Sequence, residues 1–367
     1  MQILNYQVGF NTPAFLGNAQ QEGQWRTPPF KALLRQWWRI VKARQVGFDY
    51  RELLQEENAL FGSAGDDKGG GRSRVQLRLS RWELGGLAAL PRMLEIVHPE
   101  VSRKVDAGLY LGFGPVTVKA TRTAIEPDGT SASLQLRCPL SAVADLRKAV
   151  QLMAWFGSLG SRARNGWGSL NLQGDGVLGL ENLCDSTLAA QALTRPLSEA
   201  LKDRSAGEWP HALGQCEDGR PAIWRAIDRV QRNSDGTGAY LGFDRWQGVM
   251  EHLAELKIGF RNQFKFKSGG PHAQVEDRHV LAYPVTHHEL AGLPNARMAN
   301  QLRFKVARNK AGQYFGVIVH LPCAMPASLF DTSNLRPPEI ERQIVIWRKV
   351  HEFLSAQQQS LVRIRKG

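Results

Sequence analysis

The segment TPPFKALLRQWWRIVKAR, residues 27–44, constrains the fold most, because its apolar side chains recur at helical spacing on one wide face. Those side chains belong to Phe30, Leu33, Leu34, Trp37, Trp38 and Val41. Thr27 can cap such a helix, and Pro28 and Pro29 suit its first turn, where no amide donor is lost. A face with two adjacent tryptophans must be covered, so we expect this helix to pack against a β-sheet.

The rest of the first half supplies strands for that sheet. Residues 3–9 and the alternating residues 75–79 predict two strands, and residues 116–121 and 133–136 predict a hairpin across Pro127-Asp128-Gly129. A second helix opening at Ser141 and a loop, LGSRARNGWGSLNL, lead to a last strand. This β-α-β-β-α-β order predicts a ferredoxin-like domain over residues 1–175, although the extra hairpin leaves the number of strands open.

The second half has a less regular pattern. Residues 222–230 and 246–256 predict helices, residues 302–306 and 314–321 predict a hairpin, and Pro337-Pro338 precedes a final helical stretch. These elements permit a second ferredoxin-like domain over residues 176–367, heavily modified by helices. The expected fold class is therefore α+β, with two ferredoxin-like domains.

The charge balance indicates the kind of partner. A net charge of +13 over 367 residues favours a polyanion, most often nucleic acid, with an acidic membrane surface second. The first residues lack the basic and apolar regions expected of a signal peptide, and no apolar run approaches the roughly 18 residues of a membrane span. Four scattered cysteines predict neither a disulfide framework nor a zinc site. We therefore expect a cytoplasmic protein.

Basic residues form a stripe beside the apolar face of the first predicted helix. Lys31, Arg35, Arg39 and Lys42 follow one another at intervals of four, four and three residues, without an acid in the segment. Like charges at this spacing repel each other by a few tenths of a kcal/mol per pair, and a phosphate backbone would turn that repulsion into attraction. A solvated basic face is the alternative. Residues 72–81 add four arginines, also without an acid.

The glycine-rich loop is the second candidate contact. Arg162 and Arg164 precede Asn165-Gly166-Trp167-Gly168. Glycines allow close backbone approach, arginines bind phosphates through paired donors, and Trp167 could stack on a base. The alternative is a tight turn whose tryptophan belongs to the core. With the net charge, these stretches favour single-stranded RNA over duplex DNA, since no helix-turn-helix or zinc-finger pattern is present.

Patterns typical of enzymes are weaker. His287-His288 are adjacent, which favours a surface pair over a metal site, and Asp66-Asp67 in a glycine-rich segment favour a polar loop over phosphodiester cleavage. The sequence has no H-E-x-x-H, P-loop or G-x-S-x-G motif. We predict no catalytic residue, no metal site and no cofactor.

The N-terminal motifs together resemble a known family. The opening residues Thr12, Pro13, Phe15 and Gly17 precede a helix pattern made by Arg26, Pro28, Lys31, Leu34, Arg35, Trp37, Trp38 and Arg39, and LFGS follows at residues 60–63. This combination is similar to the RAMP superfamily of CRISPR effector proteins, and most of all to the capping subunit of type III-B Cmr complexes. Pro29, Ala32 and Gln36 depart from the serine, glycine and phenylalanine of the family pattern, and Asn300-Gln301 replace its Ser-Pro.

The resemblance implies a function. It implies two ferredoxin-like domains, no catalysis, and a place near the 3′ end of the guide RNA, with guide RNA, target RNA and other RAMP subunits as partners. Carried onto this chain, the RNA-binding residues would be Arg26, Lys31, Arg35, Arg39, Arg162, Arg164, Asn165, Gly166, Trp167 and Gly168. A metal-independent RAMP endoribonuclease that processes repeat RNA is one rival, disfavoured because no histidine, its usual base, occurs before His98. A purely structural bridge between subunits is the other.

Overall fold

The computed structural model describes residues 1–63, 71–101, 103–119, 121–184, 187–188, 193–203, 208–232, 238–293 and 295–364. Its strands are, in chain order, β1 Gln2–Phe10, β2 Gln76–Leu79, β3 Glu95–Ile96, β4 Val105–Asp106, β5 Ala132–Cys138, β6 Leu170–Gly174, β7 Thr194–Pro196, β8 Leu213–Gln215, β9 Ile223–Ala226, β10 Arg229–Arg232, β11 Gly238–Leu241, β12 Leu302–Arg308, β13 Tyr314–His320 and β14 Leu361–Arg363. The described α-helices are α1 Thr27–Ala43, α2 Tyr50–Phe61, α3 Ala107–Gly112, α4 Val143–Phe156, α5 Leu197–Lys202, α6 Trp246–Arg261, α7 Asp277–Leu281 and α8 Ile340–Ala356.

A four-stranded antiparallel sheet organises the first half. Its strands lie in the order β2-β5-β1-β6. Leu4 lies opposite Leu136, and Val8 lies between Ala132 and Leu172, so alternate side chains of β1 face the core. Helices α1 and α4 bury their apolar faces in the same core.

Helix α1 forms where the spacing predicts it, and its tryptophans are buried. Trp37 and Trp38 pack against Phe156 and Phe61 respectively. The cap differs from the expectation, because Thr27 is already helical and Arg26 occupies the N-cap without a side-chain hydrogen bond to the helix. The first turn therefore begins without a capping side chain and without an acid.

The second half contains a sheet of the same size. Its antiparallel strands lie in the order β12-β13-β9-β14, and α6 and α8 contribute to its core. The helix predicted over residues 222–230 is wrong, since Ile223–Ala226 form the central strand β9 between β13 and β14. A short apolar run that is buried on both faces cannot be distinguished from a buried helix by periodicity alone.

The strand predicted over residues 116–121 is also wrong. The described residues of this segment form bends and isolated bridges, with the Val116 amide donating to Gly112 O and the Arg122 amide donating to Pro115 O. Val118 is exposed, so the apparent alternation does not mark a buried face. Strand β5 instead pairs with β1 and β2. The fold is mixed α and β around antiparallel sheets, and no helix in the described ranges is long and apolar enough to cross a membrane.

Candidate nucleic-acid interface

A groove of about 1050 Å³ runs along the exposed side of α1. Five cations line it, namely Lys31, Arg35, Arg39, Arg72 and Arg164, and no acidic residue is among its described lining residues. The other lining residues are Thr27, Pro28, Ala32, Gln36, Ser73, Val75, Gln76, Leu77, Trp209 and Pro210. The basic stripe on α1 and one arginine of the glycine-rich loop therefore contribute to the same concave surface.

A single buried carboxylate holds two of these arginines. Glu57, on α2, has a side chain that is only 1% exposed. Arg35 Nε donates to Glu57 Oε1 at 2.7 Å, and Arg39 donates to both carboxylate oxygens, with Nη2 at 2.8 Å from Oε1. One negative charge shared between two guanidiniums leaves the cluster with one net positive charge. Two cations of the stripe, Arg35 and Arg39, therefore have a carboxylate partner that the segment itself does not contain, and their hydrogen bonds to Glu57 hold them in position.

The pKa values of Glu57 and Lys31 reflect burial and neighbouring charge. Burial by itself would raise the pKa of Glu57, but the hydrogen bonds and charges of Arg39 and Arg35 hold that pKa below its ordinary value. Burial, together with the neighbouring charge of Arg35, lowers the pKa of Lys31. Lys31 has no carboxylate partner within the described part of the chain, so an anion in the groove would be its counter-ion.

Arg164 brings the glycine-rich loop into the groove. Its guanidinium donates to Asn300 O at 3.3 Å, and its own carbonyl accepts the Phe304 amide at 3.0 Å. The edge of β12 therefore fixes this part of the loop. A Cβ on Gly168, whose φ is +63°, would lie 1.9 Å from Leu159 O, so the backbone can close this turn only with glycine.

Asn165 is a structural residue of the loop. Its side-chain amide donates to Leu111 O at 2.8 Å and accepts from Lys257 Nζ at 2.9 Å, and it is buried. Burial lowers the pKa of Lys257 to about 7. Both hydrogen-bonding ends of Asn165 are used inside the protein, so it does not meet RNA in this conformation.

Trp167 is enclosed in the core rather than available to a base. Its exposed fraction is 0%, and its ring lies 5.4 Å from that of Phe15 and 6.0 Å from that of Trp246. The stacking role predicted for Trp167 is therefore wrong, and the alternative of a core tryptophan holds. Gly166 and Gly168 are likewise buried and shape the turn.

Two predicted residues lie outside the groove lining. Arg26 Nη1 donates to Gly17 O at 2.8 Å, although the next two residues do line the groove. Arg162 is exposed, with its guanidinium beside Gly114. Of the ten residues predicted to bind RNA, the groove thus brings together Lys31, Arg35, Arg39 and Arg164.

The structure adds residues that sequence reasoning did not single out. Glu57 positions the arginines, and Arg72 was noted only as part of a basic stretch. Arg303 is buried beneath α1, where its Nη1 donates to Gln36 Oε1 at 3.0 Å. Burial and the nearby charge of Arg164 lower the pKa of Arg303 to about 9. Sequence spacing does not reveal these three residues, because they come from segments other than α1 and meet it only in the folded protein.

His288, one of the remaining enzyme-like candidates, lies in a cluster of aromatic rings. His288 stacks on Phe266 with ring centroids 3.8 Å apart, and its Nδ1 lies 2.9 Å from His272 Nε2. No group of metal-ligating side chains occurs among the described residues. Asp66 and Asp67 lie outside the described residues. The four cysteines are free thiols.

Comparisons with known proteins agree with the N-terminal motifs. Residues 12–171 match the model of the RAMP superfamily. Over 151 residues the chain is 26% identical to the CRISPR system Cmr subunit Cmr1-1 of Pyrococcus furiosus, a match that spans 40% of this chain and 40% of that relative's length.

Two solved structures are similar to the whole chain. The crystal structure of Cmr1 from Pyrococcus furiosus in its apo form has a TM-score of 0.48 and 15% identity, covering 100% of this chain and 99% of that one. A subunit in a cryo-EM structure of the type III-B Cmr-beta complex bound to cognate target RNA has a TM-score of 0.46 and 11% identity, covering 96% and 100%. The motifs at residues 12–17, 26–39 and 60–63 all lie within the range that matches the RAMP superfamily model, residues 12–171.

Proposed function

We propose that this protein is a non-catalytic RNA-binding subunit of a type III, Cmr-type CRISPR ribonucleoprotein effector. In this role it holds guide RNA and target RNA near the 3′ end of the guide, beside other RAMP subunits. The RAMP match over residues 12–171 and the 26% identity to a Cmr subunit over 151 residues support the assignment. The observation that carries the RNA-binding role is the groove, whose lining has five cations and no acid.

The groove suits a phosphate chain better than a base-specific contact. Guanidinium and ammonium groups bind phosphate oxygens wherever they occur along the strand, so these contacts position RNA without recognising its sequence. After subtraction of the buried Glu57 charge, about four positive charges face the groove. Sequence information would come from pairing between guide and target.

We also propose two ferredoxin-like domains, over residues 1–175 and 176–367. The two four-stranded sheets have the same strand order. If the strands of each sheet are numbered 1 to 4 along the chain, both sheets have the spatial order 2-3-1-4. In each half a helix follows the first strand and another follows the third. This is the order expected for a β-α-β-β-α-β unit.

The proposal includes no catalysis. The rival RAMP endoribonuclease would employ a histidine as general base, and the described groove lining contains no histidine. Incubation of the purified protein with repeat RNA in a chelator tests this directly. We expect intact RNA, and specific cleavage products would favour the rival.

The effector assignment is tested by purifying the tagged full chain from its own cells and sequencing the RNA that accompanies it. We expect guide-length RNAs that share a repeat-derived end, together with other RAMP subunits in the same eluate. Recovery of other RAMP subunits without RNA would favour the structural bridge. Recovery of unrelated cellular RNAs alone would contradict the effector assignment.

A further inference from the structure

We propose that Trp82 is a stacking platform for an unpaired nucleobase at the N-terminal end of the α1 groove. This inference rests on the proposed RNA-binding function and deepens it, because it assigns a base contact next to the phosphate-binding cations. The ligand class is a single-stranded nucleotide chain whose backbone occupies the groove.

Trp82 differs from every other tryptophan in the chain. All ten tryptophans are described, and Trp82 is 55% exposed, whereas Trp209 is half-buried and the other eight are buried. Burial of an indole is strongly favourable, and eight of the tryptophans are buried. Trp82 instead exposes a large apolar surface to solvent. Leu84, two residues further on, is also exposed.

Backbone contacts place Trp82 next to the groove. Gln24 Nε2 donates to Trp82 O at 2.9 Å, and the Trp25 amide donates to Glu83 O at 3.0 Å. Residues 82–84 therefore run beside residues 24–26, which lead directly into the groove-lining Thr27 and Pro28. From the other side, Gln76 and Leu77 of β2 line the same groove. Two segments thus connect Trp82 to one end of it.

The charges around Trp82 favour a nucleotide as its occupant. Residues 71–82 contain Arg72, Arg74, Arg78 and Arg81, all exposed, against one exposed acid, Glu83, directly after Trp82. None of the four has a carboxylate partner within the described ranges. An exposed indole among arginines provides a face for a base and cations for the phosphates on either side, which is the usual arrangement for single-strand binding.

The test measures binding of a short oligoadenylate, and of the same oligonucleotide with abasic residues, to the full chain. Trp82→Ala should weaken oligoadenylate binding by about tenfold or more, since stacking contributes roughly 1–3 kcal/mol per base, and Trp82→Phe should retain most of the affinity. The abasic ligand should bind wild type and Trp82→Ala equally. The salt dependence should be the same in both proteins, because the indole carries no charge. Phe113→Ala removes another exposed aromatic, one without a described hydrogen bond to the residues 24–28 that lead into the groove, and should have no effect.

Three results would overturn the platform. Salt-dependent wild-type binding that Trp82→Ala leaves unchanged would contradict the platform alone. Equal losses for the two ligands would indicate a backbone or folding effect instead of stacking. A wild-type protein that binds neither ligand would contradict the proposed RNA-binding function, and the platform with it.

Discussion

At the scale of single residues, Glu57 decides how the groove presents its charge. Its carboxylate lies under α1 and accepts hydrogen bonds from Arg35 and Arg39. Without it, two guanidiniums one helical turn apart would repel each other and move freely. The carboxylate therefore removes one positive charge from the groove and in exchange fixes the positions of two donors.

Glu57→Gln should lower the free energy of unfolding at pH 7 by about 1–3 kcal/mol, because a buried charge pair loses one partner while both arginines keep some access to water. The matched control is Glu56→Gln, which removes a more exposed neighbouring carboxylate whose partner, Lys42, is 3.6 Å away. That change should stay within about 0.5 kcal/mol. Urea unfolding measures both.

The effect of Glu57→Gln should depend on pH. The folded state holds the pKa of Glu57 below its ordinary value of 4.5, so the ionised carboxylate contributes fully above that pH. Its contribution is lost as the pH falls through the lowered folded pKa. The stability difference between wild type and Glu57→Gln should therefore shrink below about pH 4.5. A difference that is constant from pH 7 to the acid transition would contradict the ion-pair account.

The location of a residue could be predicted where local spacing determines it, and could not be predicted where tertiary packing does. Helical spacing places Lys31 on the basic stripe of α1, and Lys31 does line the groove. Glycine, arginine and tryptophan together predict a nucleotide contact at Trp167, but the same residue types also suit a tight turn over a core. Glu57 is one acid among several in its helix, and nothing local indicates that it meets α1.

At the scale of elements, the glycine-rich loop depends on one close approach. Leu159 and Gly168 are joined by a hydrogen bond from the Leu159 amide to Gly168 O at 2.8 Å, and the Gly168 amide donates to Pro13 O at 2.9 Å. The loop carries Arg164 into the groove from this closed turn. Any side chain at position 168 must separate the two backbone segments.

Gly168→Ala should lower the free energy of unfolding by about 2 kcal/mol or more, because it combines a left-handed φ with a Cβ clash against Leu159 O. Gly176→Ala is the matched control. It has a similar φ, +77°, but no atom within 4 Å of its Cβ position, and should cost about 1 kcal/mol. Equal losses in urea unfolding would show that φ alone, and not the close approach, determines the effect.

Elements with a long apolar pattern were predictable. Helices α1, α4, α6 and α8 and the hairpin of β12 and β13 form where periodicity predicts them. The pattern predicts a helix where the four-residue strand β9 forms, because a short strand covered on both faces shows no alternation. Residues 116–121 have strand-like composition, but those that the structure describes pair with no strand of the first sheet. The N-cap of α1 is Arg26, one residue before the predicted Thr27.

At the scale of the whole molecule, the groove depends on both halves of the chain. Strand β12 of the second sheet contacts the first half through the Phe304 amide, which donates to Arg164 O, and the Val306 amide, which donates to Ser169 Oγ at 2.8 Å. Lys305 is fully buried between them and donates to the carbonyls of Met153 and Ala154 at the end of α4. Several of the elements could be deduced from sequence, but this contact between the halves could not, since buried lysines and arginines resemble surface ones in sequence.

The most direct test of the central claim is the salt dependence of single-stranded RNA binding. The account states that groove cations neutralise RNA phosphates. The variant Lys31→Gln, Arg72→Gln, Arg164→Gln removes three of them and leaves the Glu57 cluster intact. Its log–log slope against salt should flatten by about 0.7 per lost contact, or roughly 2 in all.

The control variant Lys202→Gln, Lys310→Gln, Arg348→Gln lowers the net charge equally, from +13 to +10, through residues outside the groove lining. It should keep the wild-type slope. Equal slopes for the groove variant and wild type would contradict the account, as would equal flattening in the two variants, which would show that overall charge rather than the groove binds the RNA.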